Sequence, residues 1–325
     1  MGVSFEDLRE VWYLKIDELD DRTVPLQPCY LGNSNWEDWF PTESGLIRLP
    51  IVDVEDGCYF SSQPASEQDI HFRFISEVIK KAYWPDLVHF ERGILEDIHN
   101  LASSVSKINL FHKLWLTDKT KITSRYVTTE LEYIFIVCRS LFDLLQEVIQ
   151  KIWTRFRYVD SNKSTKKLES TFSKMLFKAN MLSTAAEISE RYLIPPPLAE
   201  FYCRHSQFFM WLRSYRDRIS HGGNSIQTLY ITAKGFAVPT SARPFSDLNI
   251  WNKTVLQENG LGSVRTLVAH VILSTLEALD DFTSTIGSIM QLPPDIAPNH
   301  EVYVRGKDLK ILQDLKKYMI GDEWV

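Results

Sequence analysis

Between Ser124 and Tyr158 the chain carries neither proline nor glycine, and from Leu131 to Ile152 apolar residues occur almost all round the helical wheel. A segment of this kind is a long helix buried inside a bundle, so the fold has to be built around it. Thr128 or Thr129 is the expected N-cap, and Glu132, three residues after Thr129, completes a capping-box pattern. Charges interrupt the apolar middle. Arg139 and Asp143, four residues apart, share a face, and buried charges persist only when paired, so they line a polar cleft or a partner surface, or form an intrahelical pair that holds helices together.

Other segments arrange themselves about this helix. Residues 5–22, 68–82, 86–117 and 167–192 repeat apolar side chains every three or four positions, as amphipathic helices require. Pro195-Pro196-Pro197 is a hard break, after which Leu198 to Ser220 reads as a helix stopped by His221-Gly222-Gly223. Residues 227–238 alternate as a hairpin around Lys234-Gly235, a further helix spans roughly 261–291, and 306–319 is a short terminal one. By contrast, residues 23–68 are punctuated by Pro25, Pro28, Gly32, Pro41, Gly45, Pro50, Gly57 and Pro64, which permits only short strands and loops. The expected fold is therefore mainly α. It divides into an acidic extension over 1–68 of irregular α+β character, accessory helices over 69–120, a helical bundle with a β-hairpin insertion over 121–300, and a C-terminal helix over 301–325.

With 44% hydrophobic and 12% aromatic residues in 325, the chain can bury a core and is not globally disordered. Its net charge of −6 argues at face value against coating nucleic acid. The charges are unevenly spread, however: residues 1–70 hold 4 basic and 15 acidic side chains, whereas 121–225 hold 16 and 10. An acidic front thus masks a basic middle that can meet phosphate. Cys29, Cys58, Cys138 and Cys203 are too widely spaced for a metal knuckle or a C-x-x-C pair, and Cys138 sits in an apolar run as a small core residue does. No apolar stretch reaches 18 residues, and the first residues lack a signal-peptide pattern and the serine or threonine of a myristoylation site. The expectation is a cytoplasmic protein with no membrane association.

The chemistry-bearing stretch is Leu212-Arg213-Ser214-Tyr215-Arg216-Asp217-Arg218-Ile219-Ser220-His221-Gly222-Gly223. On a helix Asp217 and His221 share a face, so the carboxylate can fix the imidazole tautomer and favour its charged form, as does the negative end of the helix dipole. Arg216 lies five positions from His221, about 140° round the helix, and the two converge only if the last turn distorts or a second copy supplies the other member. Without a metal-ligand cluster, arginine plus histidine suits RNA, whose 2′-OH is its own nucleophile. Histidine moves protons near neutrality and arginine holds the phosphate oxygens. Ser220 stands beside His221 as a supporting polar group. Adjacent helical residues point about 100° apart, which does not aim its hydroxyl at the imidazole.

The order Arg216-Asp217-x3-His221 at the end of a helix, after the long apolar helix and before a double glycine, a hairpin and another long helix, resembles the R-x4–6-H signature of the HEPN superfamily. The resemblance covers roughly 124–291. It implies a HEPN-like helical bundle and a homodimer with a composite active site. It also implies a metal-independent endoribonuclease without cofactor, of the kind found in toxins and defence effectors, with RNA as substrate and room for an antitoxin or regulatory protein. Arg216 and His221 are then catalytic and Asp217 supports them. Arg139, Asp143, Arg213 and Ser220 take supporting positions, and Arg213 and Arg218 contact RNA. Three other readings stay open: a salt-bridged helix end with His221 as C-cap, a catalytically inactive bundle that binds a nucleotide or a protein, and chemistry placed in 1–120 around Trp12, Trp36 and Trp39. Cys203 and His205 lack the spacing of a zinc site, His270 sits in an apolar stretch as a core histidine, and Gly260-Leu-Gly262 is too short for a phosphate loop.

Overall fold

The computed structural model describes residues 4–119, 122–155, 157–158, 166–179, 181–220, 226 and 228–320; at 157, 158, 216, 218–220 and 258 it describes the backbone alone. The chain opens with α1 (Phe5–Leu8), then β1 (Cys29–Gly32), β2 (Asn35–Thr42), β3 (Gly45–Ile51) and β4 (Gly57–Ser61). Three helices follow, α2 (Arg73–Lys81), α3 (Val88–Thr117) and α4 (Ser124–Trp153). Next come β5 (Arg157–Tyr158), α5 (Phe172–Leu176), β6 (Phe177–Lys178), β7 (Met181–Leu182), α6 (Ala185–Tyr192) and α7 (Pro196–Ser220). The remainder comprises β8 (Tyr230–Thr232), β9 (Gly235–Pro239), β10 (Leu256–Gln257), β11 (Leu261–Ser263), α8 (Val264–Ile289), β12 (Met290–Gln291), β13 (Glu301–Arg305) and α9 (Lys310–Ile320).

The apolar helix is central, as its wheel requires. Helix α4 packs on α3, α7 and α8, and its side chains from Val127 to Trp153 are buried on every side but one. Phe135 and Phe142 are fully covered, and each is worth roughly 2–3 kcal/mol relative to leaving it in water. The helix starts at Ser124, so Thr129 lies inside it and returns its hydroxyl to the Arg125 carbonyl at 3.1 Å instead of capping an end. Helix α7 begins at Pro196, inside the expected proline break, because a first-turn residue has no N–H partner to lose. The glycines expected to stop it, Gly222 and Gly223, lie outside the described residues.

The expectation of a mainly α fold is corrected. About 51% of residues are helical and 17% are in strands, which makes this a mixed α+β fold. A five-stranded sheet runs in the order β13-β4-β1-β2-β3, and a four-stranded one in the order β10-β11-β9-β8. In the first, β1 and β4 are parallel and the other neighbours antiparallel. Pro50 sits on its edge strand β3, and Pro41 lies where β2 runs beyond β1, so neither breaks a ladder. The expected hairpin forms as β8–β9, with Gly235 taking the positive φ of +124° that closes the turn. It does not stand alone: β11, drawn from residues expected to start a helix, adds to β9. Helix α8 then starts one residue later, capped by Ser263.

Residues far apart in sequence close the first sheet. Strand β13 pairs with β4 through Val302 opposite Phe60 and Val304 opposite Cys58. Lys80 of α2, 5% exposed at its side chain, is held between Asp295 at 3.1 Å and Glu301 at 3.0 Å. Among the described residues no helix is long and apolar enough to cross a membrane.

Candidate active site at the end of helix α7

Helix α7 runs antiparallel to α4. Phe209 meets Phe142 with ring centres 5.5 Å apart, and Tyr215, further along α7, meets Phe135, earlier on α4, at 4.1 Å. Tyr202 donates its hydroxyl to Gln146 Oε1 at 2.8 Å, a fully buried hydrogen bond. This packing holds the last turns of α7 by one face, with Leu212 and Tyr215 inside. Arg213 and Asp217, two residues either side of Tyr215, stand about 160° away and remain accessible.

Arg213 Nε lies 3.7 Å from Asp217 Oδ2, an i,i+4 pair of half-exposed side chains. Its Nη1 donates to Ser173 Oγ of α5 at 2.5 Å, and its guanidinium stands 5.8 Å from the Phe177 ring centre. Sequence reasoning gave Arg213 a role through its place in the motif; the structure shows that it lines an open cavity of about 780 Å³. Lys174 and Lys178, from α5 and β6, line the same space, as do Glu187 and Glu190 of α6. These residues were missed because α5, β6 and α6 carry no motif, although Lys166, Lys167, Lys174 and Lys178 all belong to the basic middle of the chain. The side chains of Arg216, Arg218 and Ser220, and His221 as a whole, lie outside the described residues.

Arg139 and Asp143 form an ion pair at 2.7 Å along α4, and the Arg139 guanidinium lies 4.4 Å over the ring of Phe209. They therefore face α7, but at Phe209, seven residues and about 10 Å of helix before Arg216. The arginine stem fills the α4–α7 seam while Asp143, 44% exposed, reaches solvent.

Two other histidines near α7 are held elsewhere. His205 Nε2 is 2.7 Å from Asp281 Oδ2, and Arg204 Nη1 is 2.6 Å from Oδ1 of the same carboxylate, tying α7 to α8. His270 packs edge-on against Phe208 at 5.6 Å, and burial lowers its pKa, favouring the neutral ring. Burial likewise pushes the Cys203 thiol up, away from nucleophile behaviour at neutral pH. Trp12 and Trp39 both donate indole N–H groups to Glu37, whose other oxygen is 2.5 Å from Arg48 Nη2. With its side chain 2% exposed, this carboxylate is consumed in fastening the first loop to the sheet.

Compared with family models, with curated proteins and with solved structures, the chain finds no match in any of the three.

Proposed function

We propose that the C-terminal end of α7 is the active site of a metal-independent RNA endonuclease working as a homodimer. In this reading His221 takes the proton of the ribose 2′-OH as that oxygen attacks the adjacent phosphorus. Arg216 neutralises the charge gathering on the phosphorane oxygens, and the P–O5′ bond breaks with a proton delivered to the leaving 5′-oxygen. The products are a 2′,3′-cyclic phosphate and a free 5′-hydroxyl. Asp217 orients the imidazole, and Arg213 and Arg218 hold neighbouring phosphates.

The observation that carries this reading is the setting of Arg213: paired with Asp217 on the anchored turns just before His221, it opens onto a cavity wall that bears Lys174 and Lys178. The motif helix thus borders a charged surface in which Lys174, Lys178, Arg191 and Arg213 stand beside Glu169, Glu187 and Glu190. A second copy is favoured by Tyr126, Tyr133 and Ile136, exposed on the uncovered side of α4, with Ile122 exposed just before the helix, since exposed apolar groups gathered on one face mark interaction surfaces.

The test is total RNA incubated in EDTA with wild-type protein and with the His221→Ala and Arg216→Ala variants. Wild type is expected to cut RNA and leave DNA intact, and each variant to lose about 10²-fold or more of the rate while keeping its circular dichroism spectrum. Sedimentation should give a dimer that Tyr133→Glu converts to monomer with loss of cleavage. Folded wild-type protein that cuts no RNA, or cuts DNA equally well, ends the proposal.

A further inference from the structure

We infer that the open edge of the five-stranded sheet, strand β3, is a docking site for a partner protein that adds to it an extended apolar segment flanked by lysine or arginine. The inference rests neither on RNA cleavage nor on the pairing of two α4 helices: its residues belong to β2, β3 and the turn between them and take no part in either.

The two edges of this sheet are treated differently. At one, β13 is covered by the chain itself: Ile70 donates its N–H to the Val304 carbonyl at 2.9 Å and accepts from the Val304 N–H at 2.8 Å. At the other, β3 pairs with β2 from Gly45 opposite Thr42 to Ile51 opposite Trp36. Among the described residues no backbone hydrogen bond leaves β3 on its outer side. A strand of this length with one bare side is a template for a further strand, and proteins usually blunt it with a lysine, a proline or a covering loop. Here the proline, Pro50, is the last residue but one. Arg48 is drawn to the Glu37 carboxylate at 2.5 Å, on the face opposite to Ile47 and Leu49. The edge from Gly45 to Leu49 is left open.

The side chains beside that edge are apolar and turned to solvent. Ile47 and Phe40 are cross-strand neighbours, 45% and 56% exposed, and Leu49, 41% exposed, lies two positions on and so on the same face. Apolar groups gathered at an unpaired edge give an added strand both main-chain partners and a surface for its own apolar side chains.

Charge selects the occupant. Residues 1–70 hold 15 acidic and 4 basic side chains, and all four basic ones are engaged. Arg9 pairs with Asp17, Lys15 with Glu18 and Arg48 with Glu37, while Arg22 donates to the Leu19 carbonyl at 2.8 Å. Carboxylates stand at both ends of β3: Glu43 in the turn before Gly45, and Asp53, Glu55 and Asp56 after Ile51, the last three offset by Arg305, Lys307 and His99. Asp38, opposite Leu49 and on its face, and Glu43 enter no ion pair among the described residues. A second copy would bring an equally acidic front to the same edge, and RNA or an anionic membrane its own negative charge, so each is repelled. A segment with an apolar middle and basic flanks meets both the apolar face and the carboxylates round it.

The test is fluorescence anisotropy with a labelled peptide of alternating valine and threonine flanked by two lysines at each end. It is expected to bind the full chain. A copy flanked by glutamates, and a copy N-methylated along its middle so that neither side can complete a ladder, should each bind at least tenfold more weakly. Ile47→Lys, at an exposed position, should weaken binding at least tenfold and Asp38→Asn severalfold, with the circular dichroism spectrum, the sedimentation coefficient and any RNA cleavage unchanged. His221→Ala should bind the peptide as wild type does, so loss of cleavage with retained binding separates a failure of the nuclease proposal from a failure of this one. No binding at millimolar peptide, equal binding of the glutamate-flanked or N-methylated copy, or binding indifferent to Ile47→Lys overturns the inference. Self-association of wild type that Ile47→Lys abolishes overturns it too, by giving the edge to a second copy.

Discussion

Burial on α3 pushes the Glu91 carboxyl up from its ordinary value of 4.5 to about 7, against a smaller opposing pull from Arg92. Cys58 and Tyr83 adjoin it, and both are themselves driven up chiefly by burial. The native state holds the Glu91 proton until about pH 7, whereas the unfolded chain releases it near 4.5. Between those values the native state binds more protons, so stability falls as pH rises through the window and levels off above it. Replacing Glu91 with Gln should therefore change little at pH 4.5 and stabilise the protein by about 2–3 kcal/mol at pH 8, read from urea midpoints at the two pH values. An equal effect at both would assign the change to packing. Nothing in sequence singled out Glu91, because it occupies an ordinary position in an amphipathic pattern and burial alone distinguishes it. Cys138 and the Arg139–Asp143 pair were legible, since an apolar run and an i,i+4 spacing are local facts. The cap at Thr129 misled: a Thr followed by Glu at the third position also occurs within a helix, and only the turn of helix before it, from Ser124, shows that no end lies there.

At the scale of elements, Gln146 joins three parts of the molecule. Its Oε1 accepts from Tyr202 of α7 and its Nε2 donates to the Glu169 carbonyl at 2.8 Å, and Glu169 in turn borders the cavity. Gln146→Leu keeps the volume but leaves the buried Tyr202 hydroxyl and the partly buried Glu169 carbonyl without these partners. A loss of about 2–4 kcal/mol is expected in urea unfolding, and Tyr202→Phe alone should cost about 1 kcal/mol. If the two variants lose equal stability, the link to Glu169 carries no weight. Helices α3, α4, α7 and α8 could be drawn from periodicity because their i→i−4 bonding is local. The short strands could not. Leu261–Ser263 reads as the approach to a helix and becomes β11 only because β9 presents an open edge to it.

Across the whole molecule, β13, some 240 positions after β4, completes the first sheet. Strand β13 covers β4 along five residue pairs, and Arg305 meets both Asp53 at 2.5 Å and Asp69 at 3.3 Å. Removing residues 301–325 would expose the edge of β4, take Glu301 from the buried Lys80 ammonium and uncover the α3 and α8 surfaces beneath α9. Such a truncation is expected to lose the cooperative thermal transition or to aggregate, measured by calorimetry and light scattering. A melting temperature within a few degrees of the full chain's would show that β13 is dispensable.

The sequence by itself determined the central helix, helices α2, α3 and α8 beside it, the body of α7 and the β8–β9 hairpin, because each is written in contacts a few residues apart; of the helices expected over 5–22 and 167–192, the first is helical only at Phe5–Leu8 and the second is divided into α5, β6, β7 and α6. Tertiary structure alone decided that the fold is mixed α+β, that β13 shares a sheet with β1 to β4, and that Arg213 lines one cavity with Lys174, Lys178 and Glu190. Strand pairing and cavity walls are made of contacts between residues tens to hundreds of positions apart. Local periodicity carries no record of such partners, which chain folding has to bring together.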